Sequence, residues 1–149
     1  MNKFEHAVVG TLISNDGRYL FVQETKPEKE HLYNFPAGHI EPLESTLEAA
    51  IRETKEETGF DIEITGMVGV YQSVYPHINI AGVIFCGKIV GGKLTITAEH
   101  PTIEWFSRLE VEKMTANGQI FTNHPMRAVR DFESRGAFPV SSFSAQKFI

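Results

Sequence analysis

The segment Ser45-Thr46-Leu47-Glu48-Ala49-Ala50-Ile51-Arg52-Glu53-Thr54-Lys55-Glu56-Glu57-Thr58-Gly59 carries signals for both ends of a helix. Ser45 with Glu48 three residues on forms a capping box, and Gly59 supplies the left-handed stop. At about 100° per residue, Leu47, Ala50, Ile51, Thr54 and Thr58 gather as a packing stripe. Glu53, Glu56 and Glu57 gather on another face spanning about 100°, with Ala49 inside the same arc. Glu48, Arg52 and Lys55 fill the remaining sector. Carboxylates at this spacing repel by roughly 0.2–0.5 kcal/mol per pair even when exposed. Two readings follow: a solvated Glu-rich surface, or a site for a hard divalent cation, since Mg²⁺ takes one or two carboxylates plus substrate phosphates. The turn Pro36-Ala37-Gly38 just upstream leaves backbone groups accessible, and Arg52 is placed to tether one acid in a fixed rotamer.

Outward from this helix, strand-like and helix-like segments alternate. His6 to Ile13 and Arg18 to Thr25 read as strands joined by the turn Asn15-Asp16-Gly17. Lys26 to Glu30, containing Pro27, reads as an exposed loop. Ile62–Tyr75 and Ile78–Val90 are rich in β-formers, Leu94–Thr97 follows a Gly91-Gly92 turn as a further strand, and Glu104-Trp105-Phe106 is a short apolar piece. A second helix is expected from Ser107, with Glu110 three residues on, to about Ala116. A third follows Asn123, tolerates Pro125 in its first turn and ends at Gly136. The tail from Ala137 has no clear pattern. This order predicts an α/β fold, a sandwich around a mixed β-sheet.

Length and composition set the bounds. A chain of 149 residues, 42% hydrophobic, suits one domain spanning 1–149 with one core. The net charge of −5 argues against binding a nucleic-acid polymer through its backbone. No apolar run reaches the ~20 residues of a membrane helix, and Met1-Asn2-Lys3-Phe4-Glu5 lacks the regions of a signal peptide. A cytoplasmic protein is the expectation. The single cysteine, Cys86, excludes an intrachain disulfide.

The spacing of Gly38, Glu44, Arg52, Glu53, Glu56, Glu57, Gly59 and Phe60 resembles the Nudix box: Gly, five residues, Glu, seven residues, Arg-Glu, an aliphatic, any residue, Glu-Glu, any residue, Gly, an apolar residue. One position departs, Thr54 standing where the family prefers Leu, Ile or Val. On the helical wheel Thr54 lies in the packing stripe, so the departure concerns packing and leaves the acids in place. The resemblance implies an α/β/α sandwich with a loop–helix–loop catalytic motif, and a hydrolase of diphosphate linkages in nucleotides and related metabolites. It implies Mg²⁺, with Mn²⁺ as a substitute, held by Glu53, Glu56 and Glu57 and by the Gly38 carbonyl. Arg52 would orient Glu53. Glu44 would hold the loop or act as an ordinary acidic residue near a helix start.

Divalent metals offset the charge of a diphosphate, lower the pKa of a bound water and align the displacement, and a nearby carboxylate then serves as general base. Glu53 and Glu99 are the candidates for that base, Glu104 a weaker one. The longer stretch Glu24-Thr25 and Tyr33-Asn34-Phe35-Pro36-Ala37-Gly38-His39-Ile40-Glu41, with Trp105, Pro125, Arg130 and the aromatic tail, resembles the phosphatase-type branch of bacterial Nudix proteins. That branch acts on nucleoside tri- and diphosphates and thiamine-pathway pyrophosphates. A phosphorylated small molecule is thus the expected partner, with Tyr33, Phe35 and His39 as candidate contacts to it. Tyr71 and Tyr75, four residues apart, either line the same cleft or pack in the sheet. Arg127 and Arg130 either reach phosphates or sit on a solvated helix face. His77, His100 and His124 offer no argument for chemistry. The alternatives are a diphosphohydrolase of nucleoside triphosphates or nucleotide sugars, and a non-catalytic module that senses nucleotides.

Overall fold

A computed structural model describes residues 5–148. The residues Met1–Phe4, most of the segment read for a leader, lie outside the described residues. Seven strands, β1 (Glu5–Asn15), β2 (Arg18–Gln23), β3 (Tyr33–Asn34), β4 (Ala37–His39), β5 (Phe60–Tyr75), β6 (Ile78–Gly92) and β7 (Ile103–Ser107), form a mixed sheet. Its main path runs β3-β2-β1-β6-β5, with β4 added to β1 and β7 to β2. β1 pairs in parallel with β6 and antiparallel with β2 and β4. The helices are α1 (Thr46–Thr58), α2 (Arg108–Ala116) and α3 (His124–Arg135).

Alternation along β1 sorts the layers. Val9 faces α1 with Ala49, Ala50 and Phe85, whereas Leu12 faces the opposite layer with Ile84, Tyr71, Val111 of α2, and Met126, Ala128 and Val129 of α3. Because successive strand residues point to opposite faces, one strand buries two sets of apolar side chains. This is the sandwich around a mixed sheet expected from the order of elements, in the α/β/α form that the resemblance implied. Among the described residues no helix is long and apolar enough to cross a membrane.

Both ends of α1 form as the local sequence dictates. The Glu48 amide donates to Ser45 Oγ at 3.2 Å, the Ser45 amide donates to Glu48 Oε2 at 2.6 Å, and Gly59 closes the helix with φ of +82°. A side chain at 59 would also collide with the Lys93 carbonyl. The buried stripe is rotated from the expected one. Ala49, Ala50, Thr54, Glu57 and Thr58 are buried, while Ile51 is 41% exposed. A wheel assigns the inward side by hydrophobicity alone; here the side that meets the sheet is the one carrying Ala49, which packs with Val9 and Phe85, and Glu57, which bonds to β4.

Two further expectations change. Leu94–Thr97 is not a strand: Gly92 is still paired with Phe60 at the end of β6, and the chain then leaves the sheet with Leu94 and Ile96 exposed. β-Propensity there has no partner strand to act on. The tail, without a clear pattern in sequence, is tied down by paired amide bonds between Met67 and Phe138 and by Phe143 packing edge-on against Phe85.

Candidate active site

β4 delivers Gly38 beneath the carboxylate face of α1. A Cβ at Gly38 would lie within 2.6 Å of Glu53 Oε2 and nearer still to Oε1, so only glycine lets that carboxylate rest on the strand. Arg52 organises the acids around it. Its Nε and Nη2 donate to the two oxygens of Glu44 at 2.6 and 2.9 Å, a fork-to-fork pair. Its Nη1 donates to Glu53 Oε1 at 2.9 Å and to Glu56 Oε2 at 3.2 Å, and Nη2 also reaches the His39 carbonyl at 3.0 Å. Arg52 therefore tethers Glu53. Glu44 proves to be the anchor of the guanidinium, while the helix cap itself is left to Ser45 and Glu48.

One guanidinium is hydrogen-bonded to three carboxylates, with Glu41 a fourth at 3.7 Å, and the imbalance shows in their acidities. Glu44 is held below the usual carboxylate range by the Arg52 hydrogen bonds. Glu53 is pushed up by burial, which outweighs Arg52, and further by Glu56 and Glu44. Glu57, 7% exposed, is pushed well up, chiefly by burial, although it accepts from the Ala37 amide at 3.2 Å; Glu53 and Glu24 add repulsion. Desolvated like charges of this kind favour a cation among them. The donors are all hard oxygens, which fits Mg²⁺. As the side chains stand, Arg52 lies between Glu53 and Glu56, and among the described residues no three acidic, His or Cys side chains form a ready chelate. A bound ion requires Glu53 and the exposed Glu56 to turn from the guanidinium.

The other expected residues divide. His39 is exposed, directly after Gly38. Phe35 is a correction: it is 1% exposed and packs on Phe21 with ring centroids 5.0 Å apart, so it is core and not a substrate contact. Tyr33 is half-buried, edge-on to Phe106 at 5.1 Å, with its hydroxyl directed to Glu104. Tyr71 and Tyr75 do not share a cleft. Tyr71 is buried and donates to Asp131 Oδ2 at 2.6 Å, and Tyr75 is exposed beside the β5–β6 turn. Arg127 lies over the Tyr71 ring and Arg130 pairs with Glu112 at 3.7 Å, both in the layer opposite α1.

Glu99 is exposed, and its carbonyl accepts from Thr25 Oγ1 at 2.8 Å. The side chain this loop inserts beside α1 is the next one. His100 Nε2 lies 3.7 Å from Glu57 Oε1 and 3.7 Å from Glu24 Oε2. Sequence reasoning passed over both partners. The only local hint is a carboxylate, Glu24, closing the apolar run Leu20-Phe21-Val22. A cavity of about 550 Å³ opens at the C-terminal end of α1, lined by Lys55, Glu56, Lys93, Thr95 and Thr97.

Residues 4–125 match the family model of the NUDIX domain, and this chain belongs to that family. It is 26% identical over 121 residues to the ADP-ribose pyrophosphatase of Methanocaldococcus jannaschii, covering 80% of this chain and 72% of that protein. It is 38% identical over 71 residues to phosphatase NudJ of Escherichia coli K12, covering 48% of this chain. Several curated relatives are matched over only about half of their own length, 50% for a Bacillus subtilis protein and 46% for NudJ. The fold superposes on a NUDIX hydrolase from Nitrosomonas europaea with a TM-score of 0.83, 24% identity, 95% of this chain and 97% of that one.

Proposed function

We propose that this chain is a Mg²⁺-dependent hydrolase of phosphoanhydride bonds in nucleotides and related small molecules, acting as a phosphatase on nucleoside tri- and diphosphates or thiamine-type pyrophosphates. The observation that carries the proposal is the Arg52 clamp: one guanidinium bonded to Glu44, Glu53 and Glu56, with Glu53 lying over Gly38 beside the buried Glu57. Glu53, Glu56, Glu57 and the Gly38 carbonyl would hold the ion. When bound, Mg²⁺ neutralises the diphosphate and activates a water.

The chain's own residues do the rest. Arg52 stays anchored on Glu44, and Glu53, once turned from it to help hold the ion, keeps a second carboxylate oxygen that would take a proton from the attacking water. Burial pushes the Glu53 carboxyl up from the ordinary carboxylate range, the direction that strengthens it as a base. The exposed Glu99 makes no side-chain hydrogen bond or ion pair among the described residues, so Glu53 is the better assignment. The open cavity beside Glu56, with Lys55 and Lys93 on its rim, would take the phosphorylated substrate.

The phosphatase reading is supported by the likeness to NudJ over the box. A diphosphohydrolase reading is supported by the longer match to the ADP-ribose pyrophosphatase. Phosphate release with Mg²⁺, measured with and without added inorganic pyrophosphatase, separates the two. The panel should hold nucleoside tri- and diphosphates, thiamine-type pyrophosphates and ADP-ribose. Phosphate without the helper supports the phosphatase. Signal only with the helper, or AMP from ADP-ribose, supports the alternative. Silence across the panel with a nucleotide still bound would make the chain a sensor.

A further inference from the structure

His100 is 8% exposed although it lies in an irregular segment whose neighbours Glu99 and Pro101 are exposed. Backbone bonds hold it there. The His100 amide donates to Thr97 Oγ1 at 3.0 Å, and the Thr97 amide returns a bond to the His100 carbonyl at 3.2 Å. On either side, the loop is stitched to the end of β2: Thr25 Oγ1 donates to the Glu99 carbonyl, and the Gln23 amide donates to the Thr102 carbonyl at 2.9 Å. The imidazole is thereby driven between two buried carboxylates that are 33 residues apart in sequence, Glu24 and Glu57, at 3.7 Å from each.

Glu57 stands in the last turn of α1, and its two oxygens have different keepers. Oε2 accepts from the Ala37 amide on β4, while Oε1 faces His100 Nε2. A glutamate has three side-chain torsions, and a ligand that must meet an ion at one point gains from having them fixed beforehand. Glu24, 8% exposed, lies against the same Nε2 and fixes the imidazole in turn.

We propose that Glu24 and His100 are positioning residues, in which His100 sets the rotamer of Glu57 and Glu24 sets His100, so that Glu57 meets the ion in one arrangement. The proposal rests on the reading of Glu57 as a ligand of the divalent cation. Neither residue need touch substrate; both act through Glu57.

The test uses the full chain and Mn²⁺ as the probe, its affinity read from the free-ion signal in electron paramagnetic resonance. His100→Leu keeps the bulk and removes the nitrogen. It should weaken Mn²⁺ binding roughly 10- to 100-fold. At saturating metal, kcat should fall while KM for substrate stays within about threefold, because the defect lies in ligand geometry. His100→Gln, whose amide restores a donor, should recover Mn²⁺ affinity to within a few fold of the parent. Should His100→Leu fail to fold, the isosteric Glu24→Gln carries the test with an expected loss of roughly 3- to 10-fold. A folded His100→Leu protein with parental Mn²⁺ affinity would overturn the proposal, as would a His100→Gln variant no better than the leucine one. A parent chain that binds no Mn²⁺ would overturn the metal reading itself, which is a different result.

Discussion

Substituting Gly38 by alanine adds one methyl group where the Glu53 carboxylate now rests. The added carbon would stand within 2.6 Å of Oε2 and closer to Oε1 and Cδ, and ordinary contact begins near 3.4 Å, so the carboxylate must retreat by about 1 Å or more. Glu53 is the softer party, because Gly38 is held in the sheet by its register with Val9. The backbone itself does not object: Gly38 is not among the positive-φ residues, and alanine at such a position stabilises by about 0.4–1 kcal/mol through the unfolded chain. Against that, the Arg52–Glu53 bond of 2.9 Å is strained or lost, worth roughly 1.5–3 kcal/mol for a charged pair. The net change in stability is thus a loss of about 1–2 kcal/mol. Activity should suffer far more. A displacement of about 1 Å at a reacting geometry costs on the order of 100-fold in rate, equivalent to about 2.7 kcal/mol of barrier. Steady-state kcat/KM with Mg²⁺, paired with urea unfolding of the same preparation, reads both quantities. A Gly38→Ala protein that unfolds as expected yet retains kcat/KM within threefold of the parent would refute the idea that the Glu53 carboxylate must lie on the strand.

Thr54 Oγ1 lies 3.2 Å from Thr11 Oγ1 in a fully buried pair, so Thr54→Val alone should cost about 1–3 kcal/mol by stranding the Thr11 hydroxyl. The double variant Thr11→Val/Thr54→Val should recover most of that loss in chemical denaturation, and purely additive losses would contradict the pairing. Adding Mg²⁺ should raise the unfolding free energy by about 2.7 kcal/mol at a hundredfold excess over its Kd, with EDTA reversing the gain. An unmoved thermal midpoint would count against an ion at Glu57. His124 donates to or accepts from Ser73 Oγ at 2.7 Å, and burial, with Arg127 adding, depresses its imidazole below the ordinary value of about 6.5. The unfolded chain therefore takes up this proton first, so the His124 contribution is complete above about pH 6.5 and declines as pH falls through that value. Unfolding free energies measured across that interval should lose this part of their slope in His124→Gln, and an identical slope would remove His124 as its source.

What could be read from the sequence was what is decided locally. The ends of α1 depend on residues three or four apart, so Ser45, Glu48 and Gly59 announced them, and the turn at Asp16-Gly17 did the same for β1 and β2. The acids of α1 and their arginine follow from helical spacing alone. The inward side of that helix does not: Ile51 outranks Ala49 in hydrophobicity, but it is Ala49 that the docked helix sets against Val9 and Phe85 of the sheet. Phe35 and Tyr33 looked equally available beside the turn at Pro36. The sheet, not the turn, directs one into the core against Phe21 and the other edge-on to Phe106. Leu94–Thr97 has strand-forming residues and no strand to join. The association of Glu24, His100 and Glu57 joins three separate segments and leaves no period or spacing to detect.

The Arg52 clamp also bears on how the protein is handled. Its guanidinium already sits among Glu44, Glu53 and Glu56 as a built-in counter-ion, offsetting part of a negative charge that the helix would otherwise carry alone. On the proposed reading, an ion would be taken up by rotation of the Glu53 and Glu56 side chains away from Arg52. Protein stripped with a chelator should therefore keep its fold on storage and regain activity when the ion is returned, so that the choice of ion can be made in the cuvette and not at expression.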